Sequence, residues 1–212
     1  MSSIISALDA LNCLRQGNAR FVSNVRSVEA LASSSQRIDP LAQPSPLAII
    51  LGCADSRAPA ETIFDQGLGD LFVIRVAGNI VAPSQVGSVE FAAEHFGTQL
   101  VVVMGHSRCG AIAATVDSLK RVDESPASRN LLSITDRIAP VVVPLMQTEL
   151  AKDRAALLRA ATRANVAAAA NHLRHGSPLL EQLRMNRGLV IVGAEYDLKT
   201  GHVDFFDGLG EA

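Results

Sequence analysis

The sequence predicts an α/β fold: a mostly parallel sheet of about four strands plus an antiparallel edge strand, flanked by helices, with N-terminal helical arms. Three observations predict it. The runs LAIILG (47–52), LFVIRV (71–76), LVVVMG (100–105) and GLVIVGAEY (188–196) are short, apolar and nearly continuous, as expected of strands buried on both faces. Helix-like segments separate them, which is the pattern of parallel strands joined by helical crossovers. HVDFF (202–206) alone follows a short polar turn and reads as an antiparallel edge strand.

The elements follow in order. Residues up to about Ser35 read as helical arms. Ile4, Ile5, Leu8, Leu11 and Leu14 recur on one face, with Gly17 expected to end that helix and a second expected from Ala19 to about Ala32. The stretch from Ser33 to Pro46 is rich in Ser and Pro and reads as a loop. Gln85 to Phe96 reads as a helix between the second and third strands, and AIAATVDSLK as a helix after the third. From about Ser128 to His175 the chain is helical and alanine-rich, with Pro140 and Pro144 expected as interruptions. No repeat or internal boundary is visible, so residues 1–212 are expected to form one domain.

Composition narrows the function classes. With 48% hydrophobic residues the 212-residue chain can bury a substantial core. Its net charge is -2 and its Lys and Arg residues are scattered, which argues against a nucleic-acid partner. Aromatics make up 4% and Trp is absent, so base-stacking platforms are not expected. The apolar runs fall far short of the roughly 20 residues that span a bilayer. The N-terminus carries Asp9 and no basic leader segment, and reads as an amphipathic helix rather than a signal peptide. Three cysteines make no disulfide framework, so a cytoplasmic location is expected, where Cys and His point to metal or catalysis first.

Two strand ends carry the chemistry. LAIILG runs into Cys53, Asp55 and Arg57, and LVVVMG into His106 and Cys109. In open α/β sheets ligands gather outside the carboxyl ends of the strands, so neighbouring strands would bring two thiols and an imidazole together. Two Cys and one His suit zinc, and three protein ligands leave one position open, as catalytic sites do. Cys109 also lies where a helix starts, which favours the thiolate. Asp55 and Arg57 sit at alternate positions and suit a bidentate ion pair that keeps the carboxylate off the metal.

These residues resemble the beta class of carbonic anhydrases. C-x-D-x-R (Cys53, Asp55, Arg57) is followed by H-x-x-C-G (His106, Cys109, Gly110), and similarity extends through LRQGNARFV (14–22), ETIFDQGLGDLFVIRVAGNIV (61–81), GSVEFAAEHFG (87–97) and GLVIVGAEYDLKTGHV (188–203). The resemblance implies one zinc per chain on Cys53, His106 and Cys109, with water or hydroxide in the fourth place. It implies the Asp55–Arg57 pair as gatekeeper, the Gly110 amide near substrate, and an apolar wall including Phe72, Ala77 and Phe91. It further implies a homodimer or dimer of dimers with N-terminal arms exchanged and active sites at the dimer interface. Three positions depart from the family pattern. Pro44 stands where plant-type members have a Gln, with Gln43 one residue earlier. Phe91 replaces a common Tyr, and Ile50 stands where some bacterial members use a Trp to hold a regulatory bicarbonate. The plant-type, non-allosteric subgroup is therefore expected.

The implied activity is reversible hydration of carbon dioxide to bicarbonate and a proton through zinc-bound hydroxide. Two thiolate ligands offset the metal charge and make its water less acidic than neutral ligands would, so activity should rise with pH through about 7 to 9. The alternatives are hydrolysis of carbonyl sulfide or carbon disulfide on the same site, and a non-enzymatic zinc or redox-sensing protein. Arg75 reads as a structural or interface ion-pair partner.

Overall fold

The computed structural model describes residues 5–28, 44–120 and 128–211. The elements are α1 (Ala7–Val22), β1 (Ala48–Gly52), the one-turn α2 (Ala60–Ile63), β2 (Leu71–Arg75), α3 (Pro83–His95), β3 (Leu100–His106), α4 (Gly110–Lys120), α5 (Arg129–Met146), α6 (Arg154–His175), α7 (Pro178–Arg187), β4 (Val190–Tyr196) and β5 (Val203–Asp207). The strand order is β2-β1-β3-β4-β5. The first four strands are parallel, and β5 pairs antiparallel with β4 at the edge. The expected fold class is therefore the one found.

Because successive side chains of a strand point to opposite faces, the β-valine and isoleucine runs feed two cores. Ile50, Val102, Met104 and Val192 pack beneath α1 with Phe64. Ile49, Leu51, Val101, Val103 and Ile191 pack on the other face, against Val89 and Ala92 of α3, Val166 and Leu173 of α6 and Leu180 of α7. A third cluster joins Ile112 and Val116 of α4, Ile138 and Val142 of α5 and Leu157 of α6 to Cys53 and Cys109. Helices thus cover the sheet and also wall the strand ends.

Helix α1 runs through Gly17 rather than ending there. A Cβ on Gly17 would stand 1.7 Å from the Phe64 carbonyl oxygen; glycine here permits close approach of two backbones. Residues 19–22 belong to the same helix, which turns out at Ser23 and Asn24. The rest of the expected second helix, beyond residue 28, lies outside the described residues, as does Gln43. Leu8 is 49% exposed, so the buried stripe is Ala7, Ala10, Leu11, Leu14 and Asn18. Helix α1 is latched to the body of its own chain. Asn18 donates to the carbonyls of Ile63 and Gly201 and accepts from the Val203 N–H. Asp65 binds Arg20, Arg26 and the Ser27 N–H.

Pro140 and Pro144 do not interrupt α5. Both lie on its exposed face, where water can solvate the carbonyls that proline leaves unbonded. Helix α7, which the sequence reading did not anticipate, starts on the Ser177 cap and Pro178 and stops at left-handed Gly188.

Candidate metal centre

The sheet order reverses between β1 and β3: β1 connects outward to β2, and the chain then returns to β3 on the other side of β1. Ligand sites form at such switch points, where the diverging crossovers leave a crevice outside the strand ends. Cys53 follows β1 directly, and His106 is the last residue of β3. Arg108 then takes a left-handed turn at φ 57°, and Cys109 stands immediately before α4.

The structure brings Cys53, His106 and Cys109 together. Their ligand atoms lie within 4.8 Å of one another and all three residues are buried. A tetrahedral zinc with Zn–S bonds of ~2.3 Å sets two sulfurs ~3.8 Å apart, and the two sulfurs here stand 4.0 Å apart. His106 Nδ1 lies 3.0 Å from the Ser107 carbonyl. With the proton on Nδ1, the Nε2 lone pair faces the sulfurs. That buried Nε2 has no hydrogen-bond partner among the described residues. A buried ring nitrogen without a partner is costly, and a metal ion satisfies it. The donor set and its spacing therefore fit zinc.

The electrostatics agree with the geometry. Hydrogen bonding from Cys109 holds the Cys53 thiol well below its ordinary range, against burial, with His106 and the Gly78 N–H contributing. The proton retained between the sulfurs pushes Cys109 up, and burial pushes it further. Burial opposes a charged His106, but attraction to Cys53 outweighs it and moves the ring up. Two thiols and an imidazole competing over protons in this way are what a divalent cation resolves, by displacing them.

Asp55 and Arg57 form the expected pair. Arg57 donates from Nε to Oδ1 at 2.9 Å and from Nη2 to Oδ2 at 2.8 Å, and its backbone N–H adds a third bond to Oδ1. The guanidinium bonds foremost hold the Asp55 carboxyl well below the usual carboxylate range. Oδ2 stands 3.9 Å from His106 Nε2, so the carboxylate flanks the ligand cluster while committed to Arg57.

The other expected residues divide. Gly110 opens α4 beside Cys109, with open space where a Cβ would be. Ala77 begins the turn Ala77–Asn79, whose Gly78, at φ 69°, donates its N–H to Cys53 Sγ at 3.4 Å. Phe72 and Phe91 are not brought to the cluster. They pack with each other and with Phe96 on the α3 side of the sheet, and Phe91 is 51% exposed. Two supporting groups flank the cluster: Ser107, which sequence reasoning missed, and Arg75, which it reads as an ion-pair partner. Ser107 accepts the Leu198 N–H on Oγ and so ties the His106 turn to the β4–β5 connection. Arg75 donates from Nε to the Cys53 carbonyl at 3.0 Å and from Nη2 to the Asp55 carbonyl. The one signal for Arg75 was a charge inside an otherwise apolar strand.

A family model described as carbonic anhydrase matches residues 48–203. A carbonic anhydrase of Mycolicibacterium smegmatis is 35% identical over 218 residues, covering 95% of this chain and 94% of the relative. A solved tetrameric beta-carbonic anhydrase of Sordaria macrospora superposes with a TM-score of 0.69 at 25% identity, covering 77% of this chain and 82% of that one. This chain belongs to the beta-class carbonic anhydrase family. Carbonic anhydrase 2 of Mycobacterium tuberculosis is 40% identical over 134 residues; that match spans 63% of this chain and 63% of the relative. Within the carbonic anhydrase match lie Cys53, Asp55, Arg57, His106, Cys109 and Gly110, whereas Gln43 precedes it. Among the described residues no helix is long and apolar enough to cross a membrane.

Proposed function

We propose that this chain catalyses the reversible hydration of carbon dioxide to bicarbonate and a proton in the cytoplasm, with one zinc held by Cys53, His106 and Cys109. The observation that carries the reading is the convergence of three buried donors, one an unpartnered imidazole nitrogen, beside a carboxylate already bound to arginine. Zinc held by three protein ligands supplies a Lewis acid that makes water nucleophilic near neutral pH.

The chain's own residues do the rest. Arg57 occupies both Asp55 oxygens, so the carboxylate stays an acceptor beside the metal position instead of a fourth ligand. An acceptor there orients the O–H of a water and receives its hydrogen bond. The Gly110 amide, at the start of α4, favours the developing anion. Ser107 holds the His106 ring in its tautomer. The two sulfur ligands lower the net charge of the centre, which predicts activity rising with pH through about 7 to 9.

The protein is further proposed to work as a dimer or a dimer of dimers. The exposed edge of β2 and the aromatic group of Phe72, Phe91 and Phe96 form the surface offered to a second copy. Phe72 and Phe91 then line a pocket shared between copies, which reconciles their expected role with their distance from the cluster of their own chain. The tetrameric Sordaria relative supports this reading.

The test is stopped-flow carbon dioxide hydration with zinc counted in the same sample and Asp55→Ala run alongside. One zinc per chain, fast hydration and a loss of about a hundredfold or more in the variant are expected. Zinc without hydration, with sulfide released from carbonyl sulfide instead, would overturn the substrate assignment. Absence of zinc would overturn the site.

A further inference from the structure

The geometry points to Arg75 as a positioning residue that keeps the Asp55 carboxylate off the metal; this rests on the proposed zinc site. Three observations carry it. The guanidinium spans two carbonyls of one short segment, those of Cys53 and Asp55, and so fixes the backbone that aims both the sulfur and the carboxylate. In the sheet register Arg75 stands opposite Gly52, the residue before Cys53. The arginine therefore reaches forward over the strand end without crossing an intervening side chain. Finally, the carboxylate stands close beside a ligand atom. An oxygen and an imidazole nitrogen sharing a tetrahedral zinc stand ~3.3 Å apart, and Asp55 Oδ2 is 3.9 Å from His106 Nε2.

Arg57 alone does not secure that separation. Its side chain is 56% exposed, and it sits on the same segment as Asp55, so the pair can move as one. Arg75 comes from the neighbouring strand and ties the segment to the sheet, with Ala54 N–H to the Val76 carbonyl and Val76 N–H to the Gly52 carbonyl completing the attachment. Releasing Arg75 lets residues 53–57 shift as a unit and brings the carboxylate into the fourth ligand position, where it competes with any incoming ligand. Lysine replaces a planar fork with a single point charge and cannot span both carbonyls, so Arg75→Lys should restore the function only in part.

The test uses the full chain with cobalt in place of zinc, and azide as the probe of the fourth position, read by visible absorption. Arg75→Ala is expected to take up one cobalt per chain yet bind azide about tenfold more weakly or worse, since each lost charge-assisted bond is worth roughly that factor. Hydration in the zinc form should fall by a similar factor, with Arg75→Lys and Arg75→Gln intermediate. The double variant Arg75→Ala/Asp55→Ala should regain azide binding while staying inactive, because the competing carboxylate is gone. A purely structural arginine would not produce that recovery. Wild-type azide affinity in Arg75→Ala overturns the proposal, as does a weakened affinity that the double variant fails to restore. If Arg75→Ala does not fold, the lysine and glutamine variants decide by the same reading. A wild type that binds metal and azide but does not hydrate carbon dioxide overturns the proposed activity and leaves the azide series to judge Arg75. A wild type that binds no metal overturns both.

Discussion

Replacing Gly17 with alanine separates two physical effects of opposite sign. Alanine in a helix interior is favoured over glycine by about 1 kcal/mol, so helix propensity alone predicts a more stable protein. The fold predicts the reverse. The new Cβ would stand 1.7 Å from the Phe64 carbonyl oxygen and 2.7 Å from its carbon. Ordinary contact needs about 3.2 Å, so α1 and the end of α2 must part by about 1.5 Å, which places the substitution at the upper end of the roughly 1–3 kcal/mol that overpacking costs. Phe64 is fully buried, and its carbonyl also accepts from Gln66 Nε2 at 2.8 Å; disturbing that bond costs about 1 kcal/mol more. The net is a loss of about 3 kcal/mol, or about 6–12 °C in Tm for a chain of this size. Calorimetry of the zinc-loaded protein measures it. Metal content should be unchanged, because Gly17 packs away from the strand ends that hold the cluster. A Tm equal to or above that of the wild type would refute the close approach of α1 to Phe64 and restore Gly17 as an ordinary helix residue.

Three further outcomes are expected. Cys109→Ser should lower zinc content well below one per chain in a competition assay with a chelator, since the hydroxyl is a far poorer zinc ligand than thiolate. Asn18→Leu should destabilise by about 2–4 kcal/mol in urea unfolding, because it strands the Ile63 and Gly201 carbonyls and the Val203 N–H, all bonded to that one buried amide. Asp197 accepts from the N–H groups of Thr200 and Lys199, and these bonds hold its carboxyl below the ordinary range. Its folded pKa is depressed, so its contribution is full above the unfolded value of about 3.9 and fades as pH falls from there toward the folded pKa. The stability gap between wild type and Asp197→Asn should therefore shrink below about pH 4; a constant gap would mean the carboxylate charge plays no part.

The sequence by itself determined the layer architecture and the chemistry at two strand ends. Apolar runs such as LVVVMG leave a strand no stable place except between helices, and Cys53, Asp55, Arg57, His106 and Cys109 are legible because thiol, imidazole and ion-pair chemistry is a property of residue type. Tertiary structure decided whatever depends on what a residue meets across space. Gly17 looks like a helix end until Phe64 is seen against it. Pro140 and Pro144 look like breaks until their face of α5 proves to be solvated. Arg75 reads as an ion-pair partner until its guanidinium is found on the carbonyls of Cys53 and Asp55. Phe72 and Phe91 carry the resemblance of a pocket wall, and within one chain they pack with each other and Phe96 on the α3 side of the sheet. For Gly17 and Arg75 the deciding contact joins residues distant in sequence, and only the adjacency of β1 and β3 at the reversal of strand order gathers two cysteines and a histidine into one site.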